Sequence, residues 1–140
     1  MASPITWNGK RISAGIRSAV MRGLITAAND VRNTAVDSII EGPKTGIVYH
    51  RRGVAHQASA PGEPPAADIG TLNNSITIRP DVKSLTVYVN AGAKYAAALE
   101  YGTAKMEPRP YLRPALLQHA RSIDNLVALE VRAYLASGGK

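Results

Sequence analysis

Residues 95–115 read YAAALEYGTAKMEPRPYLRPA, and the rest of the chain is organised around them. Tyr95 to Tyr101 is a short run of helix formers, rich in Ala and carrying Leu99, and Gly102 stands where a left-handed residue ends a helix at low cost. Pro108, Pro110 and Pro114 each fix their own φ and push Glu107, Arg109 and Arg113 towards extended backbone. The connection is therefore a stiff strap, and Pro114 suits the first position of a new helix. Glu100 and Glu107 flank the turn, and the expected use of Glu100 is a salt bridge to Arg109 or Arg113.

Working outward, a second segment stands upstream: Ala60-Pro61-Gly62-Glu63-Pro64-Pro65-Ala66, followed by Gly70-Thr71-Leu72 and Ser75-Ile76. Together with Tyr95, Glu100-Tyr101-Gly102-Thr103 and Pro110-Tyr111-Leu112-Arg113-Pro114-Ala115, this pair of ordered motifs resembles the small neck and tail-component proteins of long-tailed bacteriophages, the head-tail joining or tail-completion proteins. The resemblance covers roughly residues 10 to 136. It implies a structural virion protein, a ring-forming subunit with six-fold symmetry, in contact with connector or stopper proteins on one face and the tail terminator or tail tube on the other. It implies no catalytic residue and no cofactor. The motif residues it marks as structural are Gly62, Pro65, Gly70, Leu72, Ser75, Tyr95, Glu100, Tyr101, Gly102, Thr103, Pro110, Leu112 and Pro114.

Length and composition bound the answer independently. A chain of 140 residues with 45% apolar content is most simply one folded domain. With no Phe, one Trp and six Tyr, its core must be built from Ile, Leu, Val and Ala, and such a core is thin. Assembly with other copies is a natural remedy. Zero cysteines exclude disulfides and thiolate chemistry, and leave the redox compartment open. No apolar run approaches the ~20 residues of a membrane span, and MASPITWNGK has no signal-peptide core, so the cytoplasm is the expected setting; the resemblance implies the virion, after assembly in the host cytoplasm.

The formal charge of +7 invites a DNA-contacting alternative. The basic residues are spread over both long helices, however, and only Lys44 to Arg52 forms a cluster, with His50, Arg51 and Arg52 adjacent. Solvated or partner-facing charge is the preferred reading of that cluster, and those three residues are the candidate partner contacts.

Taken in order, residues 1–9 read as an arm in which Trp7 could anchor an interface or pack locally. From Lys10 to Ile40, Ile12, Ile16, Val20, Leu24, Ala27, Val31, Ala35 and Ile39 recur at steps of three and four, which predicts a helix roughly 45 Å long ended by Gly42 and Pro43. Gly15 and Gly23 inside it permit close helix approach. Residues 44–67 read as a projecting flap built on a hairpin, Ile47 to Arg51 and Val54 to Ser59, turning at Arg52-Gly53. Ser75 to Arg79 and Ser84 to Asn90 alternate as a second antiparallel pair, with Pro80-Asp81 opening the connection. From Pro114 to Ala136, Leu116, Ala120, Ile123, Val127, Val131 and Tyr134 mark a second long helix expected to rest on that sheet beside the first, and residues 137–140 are expected to fray.

A search for chemistry returns little. His50 and His56 lie on opposite sides of the flap turn, where two imidazoles could meet over a metal, but no third ligand is apparent. Gly62 to Gly70 lacks a phosphate-loop Lys, and no nucleophile-elbow pattern is present. The expected protein is an α+β domain, two long helices packed on a small antiparallel sheet with a projecting β-hairpin flap, that is not an enzyme and works by assembly.

Overall fold

The computed structural model describes residues 9–67 and 69–139. Residues 1–8 of the expected arm, Trp7 among them, lie outside the described residues, as does Lys140, whereas Gly9 is already helical. The period read in the first helix forms α1 (Gly9–Glu41), 33 residues and therefore about 50 Å long. In its second half the expected stripe is buried: Ala27, Val31, Ala35 and Ile39. In its first half the stripe is displaced, with Ile12 40% exposed and Ala19, Met21 and Gly23 buried instead. The displacement arises because α1 has two partners on two flanks.

One flank is the stripe Gly15, Ala19, Gly23, Ala27, whose small side chains admit the last helix, α4 (Leu112–Ala136). A methyl group at Gly23 would lie 2.6 Å from Cα of Val127, and one at Gly15 would overlap the Tyr134 ring. The two helices therefore meet nearly backbone to backbone and run antiparallel. Arg22 pairs with Glu130 at 2.9 Å and Thr34 Oγ1 bonds His119 Nε2 at 2.7 Å across the seam.

The other flank, with Met21 and Ala28, carries Arg17 and Arg32, and these hold a hairpin made of β3 (Ile76–Asp81) and β4 (Thr86–Ala91). Arg32 Nε donates to the Ile76 carbonyl at 2.8 Å, and Arg17 Nη2 donates to the carbonyls of Val82 and Lys83 at 3.2 and 2.9 Å. Ile76 and Ile78 stand opposite Ala91 and Val89, so the apolar side chains of both strands share one face, while Thr77, Arg79, Tyr88 and Asn90 are exposed on the other. Pro80 and Asp81 do not open the turn as expected. They are the last residues of β3, opposite Val87 and Thr86, because the Asp81 carboxylate accepts the Lys83 N–H at 3.0 Å and folds the turn one step later, with Leu85 at φ 52°.

The core lies where these pieces meet: Val31, Ala35, Ile39, Leu72, Ile76, Ala96, Tyr111 and Ala115 form one cluster. Leu72 enters it from the single turn α2 (Thr71–Asn74), and Ala96 from the short helix α3 (Ala96–Tyr101). Helix α4 departs from expectation. It lies mainly along α1, and its first turn joins the cluster with Leu112 and Ala115, while Leu116 is 49% exposed and Ala120 is exposed. Ala115 is its one buried residue. The narrow line of small residues on α1 accommodates one narrow line of α4, and α1 already covers the apolar face of the sheet.

The flap is a sheet of its own. β1 (Val48–Arg51) pairs antiparallel with β2 (Val54–Gln57), and Arg52 and Gly53 both take positive φ, 51° and 77°, as a two-residue hairpin turn requires. Every residue of β1 is exposed. The chain end expected to fray is bonded as far as Gly139: Gly138 and Gly139 at φ 70° and 72° turn their N–H groups to the carbonyls of Leu135 and Tyr134. The fold is α+β, with two long helices, a small antiparallel sheet and a hairpin flap.

Candidate functional site

The two sequence motifs are joined in space. The Gly62 N–H donates to the Pro108 carbonyl at 3.0 Å, and Arg109 Nε donates to the Ser59 carbonyl at 3.2 Å. The Arg109 N–H in turn bonds the Leu99 carbonyl at 2.7 Å, so the strap is fastened to α3 on one side and to the base of the flap on the other.

Glu100 sits at the centre of this joint, 8% exposed. The expected salt bridge to Arg109 or Arg113 is not formed. Instead Oε2 accepts the N–H groups of Tyr111 and Leu112 at 2.9 and 3.0 Å, and Oε1 accepts that of Arg113 at 2.8 Å. A helix leaves its first N–H groups without internal partners and carries partial positive charge there, so a buried carboxylate is well placed. Pro114 is the third residue of α4, not the first, still within the turn where a missing N–H costs nothing.

Gly102 ends α3 with φ 75° as expected, but its ψ of −178° belongs to the region open essentially to glycine alone, not to a left-handed cap. A methyl group there would meet the Met106 carbonyl oxygen at 2.8 Å and the Pro108 nitrogen at 3.0 Å. Thr103 and Met106 exchange backbone bonds at 2.7 and 3.3 Å, closing a tight turn before the strap.

The base of the flap has its own acidic clamp. Glu63 accepts the N–H and hydroxyl of Thr45 at 2.9 and 2.6 Å and the N–H of Ala60 at 2.7 Å. The Thr45 hydroxyl, then the two backbone donors, hold its carboxyl below the usual range. Lys44 Nζ bonds the carbonyls of Ser38 and Gly42 at the end of α1, and burial lowers its pKa.

The remaining motif residues divide by role. Leu72 is core, Pro65 is buried, and Ser75 Oγ bonds the Leu72 carbonyl at 2.7 Å. Gly70 at φ 76° starts α2, and Pro110 is half-buried behind the strap. Tyr95 is half-exposed and Tyr101 is 79% exposed. Pro65, Gly70, Leu72 and Tyr95 line one open cavity of about 470 Å³ together with Arg51 of the flap and Arg109 of the strap. His50 and Arg52 are exposed on the flap.

The register sets His50 opposite Ala55 and His56 opposite Tyr49, so the two imidazoles project from opposite faces of the flap. His56 stacks on Tyr49, ring centroids 5.7 Å apart. Among the described residues no group of three or more His, Cys, Asp or Glu side chains could hold a metal ion. Both oxygens of Glu100 are engaged by backbone, which leaves it unsuited to pairing with Glu107 for proton transfer.

Sequence reasoning missed the Glu100 cap because its donors lie eleven to thirteen residues away, far from the three-residue spacing of a capping box. The spacing of Ala60 and Glu63 does match the return half of that box and was a usable signal. Comparison with family models, with curated proteins and with solved structures gives no match to this chain.

Proposed function

We propose that this chain is a structural subunit of the neck or tail of a long-tailed phage, a head-tail joining or tail-completion protein that assembles with copies of itself into a ring. Helix α4 carries the proposal. Of its 25 residues one is buried, while Leu116, Leu117, Leu129 and Leu135 are 49 to 65% exposed. Surface of this apolar character is what neighbouring subunits cover. The joined motifs support the same role, since a rigid joint at Glu100 and Gly102 sets the direction of α4 and a ring needs that direction identical in every copy. Connector or stopper proteins on one face and the tail terminator or tube on the other are the expected partners, in the virion after assembly in the host cytoplasm.

A basic DNA-contacting module is the second reading, and the exposed Arg52 and His50 of the flap favour it. Four of the seventeen basic side chains, Arg17, Arg22, Arg32 and Arg109, are engaged within the chain by backbone carbonyls or Glu130. Light scattering after gel filtration tests the assembly, with a multiple of 14.8 kDa expected and six copies the implied number. A strict monomer at high concentration, with no ring in assembled particles, overturns it. A salt-dependent shift with duplex DNA would favour the second reading.

A further inference from the structure

The β3–β4 sheet has one blunted edge and one open edge. The Gly92 N–H bonds the Ser75 carbonyl at 3.0 Å, and antiparallel ladders alternate bonded and non-bonded pairs. With the register Ile76 to Ala91, the bonded pairs are therefore Thr77 with Asn90, Arg79 with Tyr88 and Asp81 with Thr86. The backbone groups of Ile76, Ile78 and Pro80 therefore point away from β4, and those of Val87, Val89 and Ala91 point away from β3. The β3 edge is blunted at two of its three outward positions, because Arg32 occupies the Ile76 carbonyl and Pro80 has no N–H to offer. The β4 edge is not: among the described residues the sheet ends there, leaving the N–H and C=O groups of three residues without a strand.

That edge forms one wall of a groove of about 630 Å³, lined by the consecutive residues 87–91 and, across from them, by Ala97, Tyr101, Leu112 and Leu116. A groove with an unpaired strand edge on one side and apolar side chains on the other fits an extended segment with apolar side chains. The flap is such a segment, already in strand form. It is a two-stranded sheet, so each of its strands also has an unpaired edge, and Ile47, Val48 and Val54 are 82, 54 and 57% exposed. A hairpin of this size is marginal alone, and adding it to β3–β4 gives a four-stranded sheet. The exposed sheet face beside the groove already seats a guanidinium, with Arg79 5.3 Å from the Tyr88 ring centroid, and Tyr101 offers a second exposed ring to the arginines of the flap.

We infer that the open edge of β4 receives the flap of a second copy of this chain. Donor and acceptor surfaces differ, so the contact is head-to-tail and repeats from copy to copy until it closes. Each copy then covers two faces of about 800 Å². The inference rests on the self-assembly proposed above and names its surface.

The absence of cysteine makes the test direct. Full-length Val54→Cys and Asn90→Cys, one on the flap and one on β4, are mixed and oxidised, with Gln118→Cys on α4 as the control partner. A disulfide-linked dimer is expected from the Val54→Cys and Asn90→Cys mixture, several-fold above either variant alone and above the control. In parallel Val89→Pro, which removes an outward N–H and no β3–β4 bond, is expected to reduce the light-scattering mass to 14.8 kDa with the helical circular dichroism kept. An oligomer that gives no such cross-link, or a flap that links to its own copy in Val54→Cys alone, overturns this inference and leaves the assembly standing. A strict monomer throughout overturns both.

Discussion

Glu100 is the one acid buried among the described residues, and three backbone donors depend on it. Glu100→Ala leaves those donors without their acceptor and is expected to cost about 3 kcal/mol or more. Glu100→Gln keeps an acceptor without the charge and should lose about half of that, while the exposed Glu107→Ala stays within about 0.5 kcal/mol. Thermal unfolding reads all three, and a Glu100→Ala protein that melts like the wild type would show that Glu100 does not hold the start of α4. Tyr111 beside it is 1% exposed, and its hydroxyl has no hydrogen-bond partner among the described residues. Burial first, then the charge of Glu100, pushes its pKa up to about 12 from 10.0. The native state therefore favours the protonated phenol, so this contribution to stability is intact below pH 10 and is lost as pH rises towards 12. Tyr111→Phe should melt no lower than the wild type and should lose less stability over that interval; equal alkaline losses in the two proteins would count against the assignment.

At the scale of elements, the flap depends on its base and not on a packed face. Glu63 ties Thr45 to Ala60, and its depressed carboxyl contributes stability that is present above its ordinary pKa of 4.5 and is lost as pH falls through the lower folded value. Hydrogen exchange of the Thr45 and Ala60 amides should accelerate as the pH is lowered through that range, relative to the intrinsic rate, and Glu63→Gln should show fast exchange throughout. In a verified monomer the strands β1 and β2 should exchange quickly, since none of β1 is buried. Slow exchange across the flap of a monomer would contradict the view that it is ordered by a neighbour.

For the whole molecule, the joint and the flap separate scaffold from contact surface. Gly102→Val places a β-branched side chain at φ 75°, ψ −178° and against the Met106 carbonyl, a strain of about 1–3 kcal/mol before any clash. The expected result is a soluble subunit with α4 misdirected, so that assembly into particles falls more than solubility does. Arg51→Ala with Arg52→Ala should leave the melting temperature nearly unchanged and weaken docking. Normal assembly of Gly102→Val at wild-type stability would mean that residues 95–115 do not organise the protein.

The elements themselves were legible in the sequence because each rests on local chemistry. The three-and-four period gave α1, the Arg52-Gly53 turn gave the flap, and Gly102 marked the end of α3 at a positive φ. What they touch was not legible. Nothing in the period of α4 distinguishes Ala115, which is buried, from Leu116, which is half-exposed, because the choice is made by the small residues of α1 at Gly15, Ala19 and Gly23. Nothing near Glu100 in the chain points to backbone donors eleven or more residues away, and a salt bridge to a nearby arginine is the natural inference from sequence alone. Local patterns fix φ, ψ and the period of a face, whereas the partner of a buried charge and the side of a helix that is covered depend on which segments arrive there, and only the tertiary structure decides that.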